Sequence, residues 1–193
     1  GGGFDLTSLF FCCILSKTFQ EQSMNLKLIE FTPEYHPQLI EMMDEWSKAG
    51  EKIVPHAITT ADYHDAAAYM RSLDGSHPRP GLVEDKTFFC LDTDRKLFVG
   101  AVNIRLRLNE ALLRNGGHIG DGVRPSERRK GIATKMIGLA LEECRKLGIY
   151  RVLMVCNRDN IGSAKSIKNN GGVLENEIVV DGETEQRYWI TLE

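Results

Sequence analysis

The chain of 193 residues lacks most of the marks from which a function is read directly. Its five cysteines, Cys12, Cys13, Cys90, Cys144 and Cys156, are odd in number and form no CxxC pair. That argues against a disulfide scaffold and suits a reducing interior. The histidines, at 36, 56, 64, 77 and 118, make no HxxxH or HExxH arrangement, so no metal site is expected. There is no GxxxxGK[ST] loop for a nucleotide and no GxGxxG turn for a dinucleotide. The formal charge of -3 is too small and of the wrong sign for nucleic acid as a main partner. No apolar run is long enough to cross a bilayer as a helix, since residues 9–15 supply only seven. No repeat, charge run or low-complexity linker divides the chain, so one domain is expected.

Residues 1–23 stand apart. They open on three glycines, and Asp5 precedes the short apolar run where a signal peptide needs basic residues. They read as an added leader or upstream read-through, against the alternatives of a membrane or partner segment or an extra element. The domain is expected at 24–193, in a cytoplasmic protein.

What is present is an order of elements. Strands are predicted at 26–31, 86–92, 96–106, 118–123, 152–156, 174–180 and 185–192. Helices are predicted at 34–48, 60–73, 132–147 and 161–169. The helix at 132–147 is the strongest, with Ile132, Met136, Ala140, Cys144 and Leu147 on one stripe and Gly148 to stop it. The order predicts a mixed α/β sheet rather than a βαβ array.

One segment stands out chemically. Arg124-Pro125-Ser126-Glu127-Arg128-Arg129-Lys130-Gly131-Ile132-Ala133 carries four basic residues and one acid, a net of +3, and runs into the strongest helix. Unpaired N–H groups at a helix start bind anions, and a glycine turn allows close approach. The expected anion is the diphosphate of a large cofactor, held by the amides of Arg129, Lys130, Gly131, Ile132 and Ala133, with Arg124, Arg128, Arg129 and Lys130 adding attraction. The competing reading is a solvated basic loop.

Arg128-x-x-Gly131-x-Ala133, between a strand and a helix, resembles the acetyl-CoA loop of the GNAT N-acetyltransferases. The longer string Gly117-His118-Ile119-Gly120-Asp121-Gly122-Val123-Arg124-Pro125-Ser126-Glu127-Arg128 is similar to that of a poorly characterised bacterial subgroup. Asn157-Arg158-Asp159-Asn160-Ile161-Gly162-Ser163, Asn170-Gly171-Gly172 and Arg187-Tyr188-Trp189-Ile190 extend the resemblance over residues 24–193. It implies an acyl-CoA N-acyltransferase-like fold, with a central, mostly antiparallel mixed sheet flanked by helices. It also implies acetyl-CoA as cofactor, CoA as product, and an amine acceptor on a small molecule or peptide. The fourth and fifth strands of the family splay around the pantetheine arm, with Val123, Asn160 and Ser163 beside it. The family often forms homodimers.

Direct transfer needs a neutral amine and so a base. Asp121 is the first candidate, at a place where the subgroup often has tyrosine; it also reads as a solvent-facing strand carboxylate. His118 and Glu127 are second candidates, against a structural histidine and a carboxylate paired with nearby arginines. Where many relatives carry a tyrosine to protonate the leaving thiolate, this chain has Ile167. Arg105, Arg107 and Asn109 are candidates to bind the acceptor, or else a structural polar cluster. A cofactor-binding module without transferase activity is the alternative function.

Overall fold

The computed structural model describes residues 24–193; the leader reading of 1–23 lies outside the described residues. Seven strands and five helices follow the predicted order. They are β1 (Leu26–Ile29), α1 (His36–Lys48), α2 (Ala66–Ser72), β2 (Asp85–Asp92), β3 (Leu97–Arg105), α3 (Glu110–Asn115), β4 (Ile119–Val123), α4 (Ile132–Lys146), β5 (Arg151–Asn157), α5 (Ile161–Asn169), β6 (Val173–Val180) and β7 (Glu183–Thr191).

The strands form two antiparallel sheets, ordered β1-β2-β3-β4 and β5-β7-β6. β2 and β3 are apolar on both faces because each face has a helical layer to meet. Val102 and Ile104 join Met136, Ile137, Ala140 and Cys144 of α4 in one core. Phe89, Phe98 and Ala101 meet Leu39, Met42, Met43 and Trp46 of α1 and Tyr69 of α2 in the other. Each fully buried Leu, Ile, Phe or Met side chain contributes about 1.5–3 kcal/mol. An irregularity between Cys90 and Leu91 puts one extra residue, Val99, into β3. The bulge resets the alternation, so that Phe98 and Ala101 share one core and Val99 and Val102 the other, and the Val99 carbonyl still accepts the Arg124 amide at 2.9 Å. β6 and β7 turn through Asp181 and Gly182, both at positive φ (52° and 86°), the two-residue geometry that matches strand twist.

Two helices differ from expectation. The helix predicted at 60–73 begins only at Ala66, because the Asp65 carboxylate caps it by accepting the amides of Ala67 and Ala68 at 3.1 and 2.9 Å. The unpredicted α3 starts at Asn109, whose side-chain oxygen accepts the Leu112 amide at 2.9 Å. Gly148 ends α4 as expected, at φ 76°, with the Ile149 amide reaching back to the Cys144 carbonyl.

The two sheets touch where β4 and β5 begin. The His118 amide donates to the Leu153 carbonyl at 2.7 Å, and the Leu153 amide donates to His118 Nδ1 at 3.0 Å. Gly117 is required beside that junction: it lies at φ 68°, and a Cβ there would meet the Leu153 carbonyl at 2.5 Å. Past this point β4 pairs only with β3, and β5 only with β7.

Candidate active site

A cleft of about 950 Å³ opens along this parting. Its walls carry Asp121, Gly122 and Val123 of β4, Arg128 to Thr134 without Lys130, and Asn160 to Ser163 at the start of α5. Trp46, Lys52 and Val54 also line it. Of the residues predicted to hold the cofactor, Val123, Arg128, Arg129, Gly131, Ile132, Ala133, Asn160 and Ser163 line this one space.

The loop before α4 is curled. Arg129 (φ 64°) and Gly131 (φ 78°) both occupy the left-handed region. Among the described residues no protein group accepts a hydrogen bond from the amides of residues 129 to 134, and the first return bond of the helix is Lys135 N–H to Gly131 O at 3.2 Å. A Cβ on Gly131 would find nothing within 4 Å. Six unpartnered donors, a positive helix end and open space in front fit a diphosphate.

The charge of this loop is not what its composition suggests. Arg124, predicted to face the cofactor, is buried and paired with Glu45 and, at 2.9 Å, with Glu41, both on α1. Glu45 also accepts the amide and the hydroxyl of Ser126, at 2.7 and 3.1 Å. Burial pulls the Glu45 carboxyl up, but the Ser126 amide and Arg124 hold it below its ordinary value. Arg128 pairs with Glu51 at 2.6 Å and donates to the Val123 carbonyl at 3.0 Å. Lys130 pairs with Glu127 at 3.2 Å. Only Arg129 of the four has no carboxylate partner among the described residues.

The base candidates separate by environment. Asp121 faces the cleft, and its carboxyl has no hydrogen-bond partner among the described residues. Burial pushes it up to about 6. Across the gap lies Cys156, raised chiefly by its own burial, with the Ser163 hydroxyl beside it. Glu127 is held below its ordinary value by Arg95, which takes both carboxylate oxygens at 2.9 Å. It is an ion-pair anchor, as the structural alternative foresaw. His118 does not line the cleft, and burial, aided by the charge of Arg105, lowers it to about 4. With Nδ1 accepting from Leu153, the neutral ring carries its proton on Nε2 and has no nitrogen free to act as base.

The acceptor candidates are likewise engaged elsewhere. Arg105 donates to the carbonyls of Gly116 and Gly117 at 3.1 and 3.4 Å, and its guanidinium fills the space beside Gly120. Asn109 caps α3 and donates to the Gly81 carbonyl at 2.9 Å. Arg107 lies exposed, 3.7 Å from Glu84. None of the three lines the cleft. Gly122 admits the chain's own backbone: a Cβ there would collide with the Val54 carbonyl.

Three further groups complete the cleft. Asn160 caps α5 through Oδ1, accepting the Ser163 amide at 3.0 Å, which leaves its NH2 group for the cleft. Val123 turns its N–H to the open edge of β4, because the neighbouring Arg124 N–H goes to β3 and strand groups alternate. Trp46 is fully buried on the cleft wall with its indole N–H unpartnered. Among the described residues no group of His, Cys, Asp and Glu is arranged to hold a metal ion, and no helix is long and apolar enough to cross a membrane.

A curled loop of unpartnered amides opens a helix at the parting of two sheets, a geometry that suits a cofactor with a diphosphate. Residues 39–171 match the acetyltransferase (GNAT) family, and the chain belongs to it. It is an N-acetyltransferase, and its cofactor is acetyl-CoA. Solved structures with the same fold include the microcin C7 self-immunity acetyltransferase MccE in complex with acetyl-CoA and AMP (16% identity, TM-score 0.60, covering 86% of this chain and 92% of that one). RimL, a ribosomal L7/L12 alpha-N-protein acetyltransferase in complex with CoA, superposes with a TM-score of 0.62 at 15% identity, over 86% of this chain and 94% of its own. The spermidine/spermine N-acetyltransferase SpeG from Vibrio cholerae, in mutant forms, gives 0.57 at 15% identity, over 86% and 93%. No curated protein matches the chain.

Proposed function

We propose that the chain transfers acetyl from acetyl-CoA directly to an amine of a small molecule or peptide, with Asp121 as the proton acceptor. The observation that carries the reading is the run of amides at 129 to 134 that have no protein acceptor among the described residues, all but Lys130 belonging to residues that line a cleft shared with Asp121, a carboxylate without a hydrogen-bond partner there. When bound, acetyl-CoA supplies a thioester whose acetyl group passes to the amine nitrogen and whose sulfur leaves as the thiol.

The residues of the chain then have distinct tasks. The amides of 129 to 134 hold the diphosphate oxygens, and Arg129 adds the one uncompensated cation of the loop. The Val123 N–H, on the open edge of β4, polarises the thioester carbonyl. The NH2 group of Asn160 fixes the pantetheine end. Asp121 draws in the cationic amine and takes one proton from it, which frees the nitrogen lone pair before the N–C bond forms; a carboxyl near 6 is ionised at neutral pH and still basic enough to accept. Ile167, wholly buried, offers no proton, so water is the donor to the leaving sulfur.

Trp46, Lys52 and Val54 line the same cleft as Asp121 and form the acceptor side in this reading. RimL and SpeG are named for a protein α-amine and for polyamines, so the amine class spans peptides and small molecules. The buried, unpaired thiols of Cys90, Cys144 and Cys156 suit a reducing, cytoplasmic setting.

Calorimetric titration with CoA and acetyl-CoA, followed by thiol release against an amine panel, tests the proposal. Gly131→Trp should abolish cofactor binding while the protein stays folded. Unchanged affinity in that variant would remove the diphosphate site, and no thiol release with any amine class would remove the transfer.

A further inference from the structure

The curl of the anion loop needs a cause. Arg129 has a side chain and still sits at φ 64°, a region that L-residues avoid. The residues around it must therefore over-determine the bend. Glu127, 5% exposed, lies two residues before Arg129. Both its oxygens are held by Arg95, Nη1 to Oε1 and Nη2 to Oε2, each at 2.9 Å. Arg95 belongs to the turn between β2 and β3, 32 residues earlier. Its own position is fixed in turn. Nε donates to Asp92 Oδ2 at 2.8 Å, and Asp92, 2% exposed, also accepts the amides of Asp94 and Arg95 at 3.1 Å. Lys130 Nζ closes the chain at 3.2 Å from Glu127.

An ionic relay thus runs from a hairpin turn at the end of the first sheet, through Arg95 and Glu127, into the middle of the loop. Arg95 does not line the cleft. We propose that Arg95 is a positioning residue for the cofactor diphosphate: by clamping both oxygens of Glu127 it sets the bend that aims the amides of 129 to 134 at the anion. The inference rests on the reading of that loop as the diphosphate site. The role needs a planar fork. A guanidinium can bind two carboxylate oxygens in parallel and a second carboxylate through Nε, whereas an ammonium is a point charge that fixes no plane.

The test compares CoA with pantetheine, which lacks the diphosphate together with the 3′-phosphoadenosine that it carries. CoA and pantetheine are titrated into the wild-type chain and into Arg95→Lys, Arg95→Met and Arg95→Met/Glu127→Gln. The double variant removes both charges together, so no lone buried carboxylate remains if Arg95→Met alone fails to fold. CoA affinity is expected to fall about tenfold in Arg95→Met and in the double variant, and less in Arg95→Lys, a loss of the size that small misplacements produce. Pantetheine affinity should not change in any of them. A general disturbance of the cleft would weaken both ligands alike, and that result, or unchanged CoA affinity in the folded variants, overturns the positioning role alone. A wild-type chain that binds CoA no more tightly than pantetheine overturns the diphosphate reading as well.

Discussion

His118 Nδ1 accepts the main-chain N–H of Leu153 at 3.0 Å, so a side chain completes the junction at which β4 and β5 part. The bond requires a neutral imidazole. Burial, with the charge of Arg105, lowers the ring to about 4 in the folded protein, below its ordinary value of 6.5. The unfolded chain therefore binds the proton first as pH falls. Stability from this group is complete above pH 6.5 and is lost progressively down to about pH 4. His118→Phe leaves the Leu153 amide without an acceptor and should cost roughly 1–3 kcal/mol at pH 7. Denaturant unfolding at pH 7 and 4.5 should show the variant losing less stability between the two than the wild type does.

Asp121 carries the opposite sign. Its folded value, about 6, lies above the ordinary 3.8, so its relative contribution is fully present below 3.8 and lost as pH rises through 6. Asp121→Asn should accordingly stabilise the protein at pH 7.5, by about 1–3 kcal/mol after allowance for water in the open cleft, and give no gain at pH 4. The same variant should lose most transfer activity while keeping its affinity for CoA. In the wild type kcat should rise with pH through about 6, where the carboxylate forms. A rate that is flat from pH 5 to 8 in the wild type, or normal turnover by Asp121→Asn, would remove Asp121 as base.

Arg124 and Arg129, five residues apart, should behave as different kinds of residue. Arg124→Met strands Glu45 beside the loop and should cost roughly 1–3 kcal/mol of stability, read by thermal unfolding. Arg129→Gly relieves a left-handed backbone and should leave stability within about 1 kcal/mol of wild type. It should nonetheless weaken CoA binding and flatten its dependence on salt, because the other three cations of the loop are already paired.

Ile167→Tyr restores the hydroxyl that many relatives carry but should not raise the rate. Ile167 is fully buried, and its Cγ2 packs where a Cβ on Gly172 would stand, at 2.5 Å. The larger ring should overpack the site and cost about 1–3 kcal/mol, with kcat unchanged or lower in a thiol-release assay.

The elements were legible where a local pattern determines them. The apolar stripe of α4, the glycine that stops it and the turn at Asp181-Gly182 act over a few residues, and the sequence shows them. The turn of the loop into α4 was legible because its glycine and its place before a helix are local too. Its electrostatics were not. Glu41, Glu45 and Glu51 neutralise Arg124 and Arg128 from about 80 residues away, and no spacing rule announces that. The partner of His118 is a main-chain amide, which leaves no mark in side-chain chemistry. Asn109 was misread for a plainer reason: Asn followed by Glu is a helix start, and α3 is only one and a half turns long.

Because Gly122 and Val54 meet main chain to main chain, the segment after α1 and the β4 wall of the cleft are geared together. A change in residues 50–55 that widens the choice of acceptor will nudge β4 with it. Acceptor range and CoA affinity should then drift jointly in laboratory evolution, and variants that broaden the first without eroding the second should come from side chains pointing off this contact, Lys52 foremost.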